Sequence, residues 1–418
     1  MILQAFKCQQ YCYHKLLAKR KIAMFIDISK LAIAFDFVNH DILLNKLKVM
    51  YGIDGTLLKF LTSYLQNRYQ RVVVSNQSST TLQVNSGVPQ GSILGPLLFV
   101  LFINDISSGL SDGTNIVLYA DDTKIWRRIV SAQDNTILQA DINYLNDWAI
   151  KNMMKFHPSK CKILSISLGQ PVPSPHVYIL DALPLNYVES EKDLGVYMTP
   201  KLNWNMQCDR IYSDACQKFG VVRRNSHIVT DQKRRRALYL SLVRSIFENC
   251  SIIWRPTTIS MSDKLEGLQK RAIKWILSEE EFSYSVELYI TKCKQVDILP
   301  LNLKFDLNDL IFFHKVFYNL VPVTLPDYLK LYQGGSRLRQ SHLDSLSLIS
   351  SIIPRSSQNP LSRSFFYRTH LLWNKLPLDI RQLVPPNSFK SSLIKHLWKS
   401  VTVAELDSSF SSTTSDSP

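Results

Sequence analysis

Residues 116–126 read IVLYADDTKIW: two apolar runs, Ile116–Ala120 and Thr123–Trp126, with only Asp121 and Asp122 between them. Short runs rich in Ile, Val, Tyr and Trp form strands, and a two-residue connection joins such strands as a tight antiparallel hairpin. Adjacent carboxylates at a hairpin tip repel each other unless a cation neutralises them, and a divalent metal is the natural remedy. Asp is also common in turns through its own side-chain hydrogen bonds, so the pair by itself defines no site.

Two further segments give the pair its meaning. Residues 22–28 (IAMFIDI) form a β-rich apolar run ended by polar Ser29 and Lys30, which places Asp27 at the rim of a sheet. Ser86–Ser92 is a glycine-bearing turn that leads into an apolar run, Pro96–Ile106, dense enough for a buried helix. Three acids on neighbouring strand ends can hold two magnesium ions about 3.5–4 Å apart, one activating an attacking oxygen and one steadying a leaving phosphate.

The remaining pattern alternates. Apolar residues at helical spacing from His40 to about Leu65, broken by Gly52 and Gly55, predict two helices. Arg71–Val84 reads as a hairpin, Asp134–Met154 as a helix and Cys161–Ser167 as a strand, which makes an α+β sheet domain through about residue 204. Beyond it, residues 206–225, 232–250, 262–277 and 301–320 read as amphipathic helices, the second opening with Lys233-Arg234-Arg235-Arg236. That basic run is expected to face phosphate or water. Residues 333–362 are loop-like, and the Ser/Thr-rich tail from Ser408 is expected to be disordered.

Composition narrows the class of partner. Lys and Arg number 49 against 34 Asp and Glu, a formal charge of +15, which points first to nucleic acid and second to anionic membrane. Seven scattered cysteines fit neither a disulfide framework nor a metal knuckle, and Cys8, Cys12 and His14 lack a fourth ligand, so no zinc is assigned. No apolar stretch reaches the ~18 residues that span a bilayer, and a soluble intracellular protein, cytoplasmic or nuclear and without membrane partners, is expected.

The ordered segments FIDISK, AFDFVNHDILLNKL, SGVPQGSILGPLLFVLFINDI, LYADDTKI, WAIKNMMKFHPSKCKILSI, LGVYMTPKLNW and FFYRTHLLWNKLP resemble the reverse transcriptases of non-LTR retrotransposons of the jockey-like kind, over about residues 22–400. The resemblance implies a right-hand polymerase palm (an antiparallel sheet with packed helices) at 22–204, followed by a helical thumb at 205–330. A loop-rich linker at 331–362, a C-terminal helical region at 363–400 and a tail at 401–418 would follow, with residues 1–21 a remnant of the fingers. It implies RNA-directed DNA polymerase activity on an RNA template and DNA primer with deoxynucleoside triphosphates. Two Mg²⁺ ions, with Mn²⁺ as a substitute, would be held by Asp27, Asp121 and Asp122, helped by the carbonyl of Ile28. Gln90 and Gly91 would contact nucleotide and template, Phe35 would exclude a 2′-hydroxyl by steric clash, and Lys160 would assist the pyrophosphate leaving group. LGVYMTPKLNW would be the primer-grip hairpin.

Three departures bear on activity. Leu31-Ala32-Ile33 intrude between Lys30 and Ala34, and an alternative alignment makes Asp36 the metal ligand in place of Asp27. The chain starts shortly before the first strand, so most of the fingers and an endonuclease are expected to be missing, as in a truncated copy. His157 stands where the family usually has Asn. The second functional expectation is therefore an inactive, nucleic-acid-binding remnant of the same family.

Overall fold

The computed structural model describes residues 22–27, 35–120, 122–167, 176–279, 285–333, 344–353 and 360–400. Residues 1–21 and 401–418, and with them Cys8, Cys12 and His14, lie outside the described residues, as do Ile28 and Asp121. The chain divides into two compact units. Of the described residues, those up to Glu191 together with Thr199–Lys201 form the first, and Lys192–Met198 with those from Leu202 onward form the second. Both helices and strands are present, a mixed α and β architecture.

The first unit is built on strands β1 (Ile22–Asp27), β2 (Arg68–Gln70), β3 (Val73–Val74), β4 (Gln77–Ser78), β5 (Leu82–Val84), β6 (Thr114–Tyr119), β7 (Asp122–Ile129) and β8 (Lys162–Ser167). Three short strands follow: β9 (Ile179–Leu180), β10 (Leu183–Pro184) and β11 (Asn186–Tyr187). The main sheet has five strands in the order β11-β8-β1-β7-β6, so β1 sits at its centre between two antiparallel neighbours. The β6–β7 hairpin forms as the sequence predicts, except that Tyr119 pairs with Asp122 and the second strand starts at Asp122 instead of Thr123. Side chains alternate across the sheet. Met24, Ile26, Ile125 and Ile163 on one face join a core with helices α1 (His40–Tyr51), α3 (Leu94–Ile103) and α4 (Ala132–Lys151). Helix α2 (Gly55–Leu65) packs beside α1, and Gly52 between them takes φ +64, the left-handed cap that glycine adopts without strain.

Helix α4 buries Leu138, Ile142, Leu145 and Trp148, the i, i+4, i+7, i+10 stripe that its sequence announces. Burial of four such side chains contributes roughly 1.5–3 kcal/mol each. The β2–β5 segment folds as paired short strands with Ser75 and Asn76 both at positive φ, as a tight hairpin turn demands.

In the second unit helices dominate: α5 (Asn205–Asn225), α6 (Gln232–Tyr239), α7 (Ser245–Glu248), α8 (Ser251–Trp254), α9 (Ile259–Leu277), α10 (Val286–Gln295) and α11 (Leu301–Phe317). They are followed by α12 (Phe365–Lys375), α13 (Leu378–Arg381) and α14 (Pro386–Ser400). A hairpin of Glu191–Asp193 and Val196–Met198, turning at Leu194 and Gly195, precedes these helices, and its turn and second strand open the LGVYMTPKLNW segment. Within the stretch read as a loop, Leu348–Ser350 is a strand paired with Leu329–Leu331. No helix among the described residues is long and apolar enough to cross a membrane.

Candidate active site

Asp27 is the last residue of β1 and lies opposite Lys124 on β7 and Lys162 on β8. Directly paired residues share a face, as do residues two apart along one strand. Asp27, Lys124, Lys162 and Asp122 therefore lie on the face of Phe25, Trp126 and Leu164, opposite the helix-covered core. The β1 and β7 strands run antiparallel, so the end of one and the start of the other bring Asp27 and Asp122 to the same rim. Lys124 Nζ stands 3.9 Å from Asp27 Oδ2, with both side chains about nine-tenths buried. Burial, together with the Asp27 carboxylate, pushes the nearby Cys161 thiol up to about 12.

Carboxylate oxygens are the donors that hard divalent cations prefer, and the described pair fits such a group by its chemistry. Among the described residues no three His, Cys, Asp or Glu side chains come together in a metal-holding cluster. Asp121, the third expected ligand, and Ile28 are outside those residues.

The other expected residues gather at the turn before α3. Segment 35–38 is laced to segment 86–88: Val88 N donates to Phe35 O, Gly87 N to Val38 O and Ser86 Oγ to Asp36 O, each at 2.8 Å. His40 Nε2 adds a bond to Gly87 O at 2.8 Å. Gly87 has φ +91, and a Cβ there would stand 2.8 Å from Asp36 Cα, so the close approach excludes any larger residue. Gln90 Nε2 donates to Asp36 Oδ1 at 2.9 Å, and Gly91 follows at φ +77. Phe35 stacks on buried Phe99 of α3, ring centroids 4.6 Å apart. Asp36, Arg68, Gln70, Gln83 and Gln90 line a polar cavity of about 530 Å³ beside this turn.

Helix α3 is held from below by Lys46, whose ammonium donates to Phe102 O at 2.8 Å and Asp105 Oδ1 at 2.7 Å. Burial lowers its pKa against the opposing pull of Asp105. Lys160 is exposed on the 3₁₀ turn Pro158–Lys160. The carbonyl of His157 accepts from Lys160 N and Cys161 N while its side chain is exposed, so the turn makes no use of the imidazole that replaces Asn.

Lys124 carries a signal in the sequence only through the period of two, which places it on the Asp122 face; that it stands opposite Asp27 follows from the strand register. Sequence reasoning passed over it and over the cavity wall of Arg68, Gln70 and Gln83, which carries no local signal because the wall forms only when the hairpin folds toward the turn.

Residues 3–209 match the family model described as reverse transcriptase (RNA-dependent DNA polymerase). Residues 3–209 are thus a reverse transcriptase domain. Its relatives place this reverse transcriptase among those of non-LTR retrotransposons. One is a probable RNA-directed DNA polymerase from transposon BS of Drosophila melanogaster, 29% identical over 66% of this chain and 30% of the relative. Another is the RNA-directed DNA polymerase from the mobile element jockey of Drosophila funebris, 30% identical over 43% of this chain and 20% of the relative. The reverse transcriptase chain thus spans less than a third of the length of the curated relatives it matches. Among solved structures, an apo telomerase from Candida tropicalis gives a TM-score of 0.35 at 12% identity, covering 48% of this chain and 38% of the telomerase.

Proposed function

We propose that this chain is an RNA-directed DNA polymerase that extends a DNA primer on an RNA template, the first unit acting as the palm and the helical second unit as the thumb. The observation that carries the reading is the strand register: β1 and the β6–β7 hairpin bring Asp27 and Asp122 to one rim and one face of the sheet. Asp27, Asp121 and Asp122 would hold the divalent cations, two Mg²⁺ with Mn²⁺ as a substitute. Their chemistry is to lower the pKa of the attacking hydroxyl and neutralise charge on the leaving phosphate.

The chain's own groups do the rest. The Gly87 and Gly91 turn lets backbone approach a nucleotide closely, and Gln90 offers a polar contact beside the cavity. Phe35, its ring backed by Phe99, is a flat wall against which a 2′-hydroxyl would clash. Lys160 supplies an exposed ammonium for the leaving pyrophosphate, and the net charge of +15 suits a duplex held by its phosphates without reading of sequence.

A second reading is a nucleic-acid-binding member without turnover. Lys124 favours it, because an ammonium 3.9 Å from Asp27 competes with a metal ion for the same carboxylate. Primer extension on poly(rA)/oligo(dT) with Mg²⁺ or Mn²⁺ separates the two. Incorporation that falls about 10²-fold or more in Asp27→Ala and Asp122→Ala supports the enzyme. Salt-sensitive binding of the hybrid with no incorporation supports the second reading.

A further inference from the structure

Gln90 has two chemical faces, a donor nitrogen and an acceptor oxygen, and which one a ligand meets depends on what holds the amide. An ionised carboxylate has only acceptor oxygens, so the group facing Asp36 Oδ1 at 2.9 Å has to be Gln90 Nε2. The choice of amide orientation, which is ambiguous at an isolated glutamine, is fixed here by its partner.

Asp36 is itself held at the backbone. Its carbonyl accepts from Ser86 Oγ at 2.8 Å, and its Cα lies so close to Gly87 that no side chain fits there. The bonds of Val88 N to Phe35 O and Gly87 N to Val38 O lock the flanking residues to the same turn. Asp36 and Gln90 are therefore anchored at the backbone and braced through one exposed side-chain hydrogen bond, both in the wall of the polar cavity.

We propose that Asp36 is a positioning residue for Gln90: it engages the amide nitrogen and so leaves Gln90 Oε1 as a hydrogen-bond acceptor toward the incoming nucleotide. The inference rests on the polymerase reading for its ligand but not for the brace itself. It also gives Asp36 a task other than metal binding, since its carboxylate is directed at Gln90.

Two variants distinguish positioning from mere folding. Asp36→Ala frees the amide to rotate, whereas Asp36→Asn keeps an acceptor oxygen at the same place and can still take the Gln90 Nε2 hydrogen. In dTTP incorporation on poly(rA)/oligo(dT), Asp36→Ala is expected to raise KM for dTTP about tenfold, the loss of one hydrogen bond to a charged group, with kcat changed less than about twofold. Asp36→Asn, which keeps the acceptor, is expected to raise KM by less than about threefold. Equal KM values for wild type and both variants overturn the proposal, and so does an equal loss in both variants accompanied by a lowered Tm, which would mark a structural role.

A second measurement reads the brace without activity. In full-length protein carrying ¹⁵N-labelled glutamine side chains, the Gln90 signal is assigned by its loss in Gln90→Met. Its amide protons are expected to exchange with water several-fold more slowly than those of unbraced glutamines and to lose that protection in Asp36→Ala. An unchanged Gln90 signal in Asp36→Ala overturns the proposal. Absence of incorporation by the wild type, with the protection present, counts against the polymerase reading alone.

Discussion

Lys124 sets the electrostatics of the Asp27 rim. Two unit charges about 4 Å apart interact by about 1 kcal/mol in water and about 4 kcal/mol at an effective dielectric of 20, and the Lys124–Asp27 pair is largely withdrawn from solvent. Lys124→Ala is accordingly expected to tighten Mn²⁺ binding about tenfold, measured by titration calorimetry; unchanged affinity would show that the lysine does not compete. Gly87 makes a steric prediction of a different kind. Gly87→Ala forces a Cβ to 2.8 Å from Asp36 Cα and asks a side chain to adopt φ +91. It should cost about 2 kcal/mol or more in urea unfolding, where a cost under about 0.5 kcal/mol would mean the two segments part easily. The role of glycine here was legible as a turn signal. What it packs against was not, because Asp36 lies 51 positions away and the contact exists only in three dimensions.

At the element scale, the basic run that opens α6 separates into two jobs. Arg235 donates to Trp275 O and Ser278 Oγ at the end of α9, and Arg236 donates to Val296 O and pairs with Asp297 at the end of α10. These guanidinium groups bond to carbonyls at two helix C-termini, where positive charge is also favoured by the helix dipole. The expectation that the whole run faces phosphate or water is corrected for these two, while Lys233 and Arg234 are exposed. Arg235→Ala and Arg236→Ala should each lower unfolding free energy by about 1–2 kcal/mol, whereas Lys233→Ala and Arg234→Ala stay within about 0.5 kcal/mol. A uniform response of all four in denaturant titrations would contradict this division. The sequence shows the charges but not their targets, since the carbonyls they cap lie 40 and 60 positions downstream. The helix read at 232–250 runs without interruption through α6, a π turn at Leu240–Arg244 and α7 to Glu248, and Cys250 at φ +55 separates it from α8. Neither Gly nor Pro marks the π turn, and buried Arg244, bonded to Leu299 O, supplies a tertiary contact that periodicity cannot contain. Helix α10 escaped the reading for a related cause: lysines at 292 and 294 interrupt an apolar stripe that is only Tyr289, Ile290 and Cys293.

At the scale of the whole molecule, each unit is closed by contacts that are remote in sequence. In the first, β1 pairs with residues 97 to 145 positions later, a sheet whose strands were legible but whose order was not, because register depends on all of them at once. In the second, Arg368 grips Asp309 through two bonds, at 2.8 and 3.0 Å, and this pins α12 to α11. The same helix carries His314, fully buried, bonded to Leu383 O at 2.7 Å and stacked on Phe389 with centroids 4.1 Å apart. His370 on α12 is likewise buried, against Phe366 O. Burial lowers the pKa of both below the ordinary histidine value, outweighing the backbone hydrogen bonds that favour the proton. The folded state therefore binds these protons more weakly than the unfolded chain does. Their contribution to stability is complete above the unfolded pKa of about 6.5 and is lost as the pH falls below it through the lowered folded values. Between pH 7.5 and 5.5 the Tm of the second unit should fall by about 4 °C or more, at about 2–4 °C per kcal/mol for a domain of this size. The His314→Gln, His370→Gln double variant, though less stable throughout, should show less than about half of that fall. Parallel pH profiles for the wild type and the double variant would place the acid sensitivity elsewhere in the molecule.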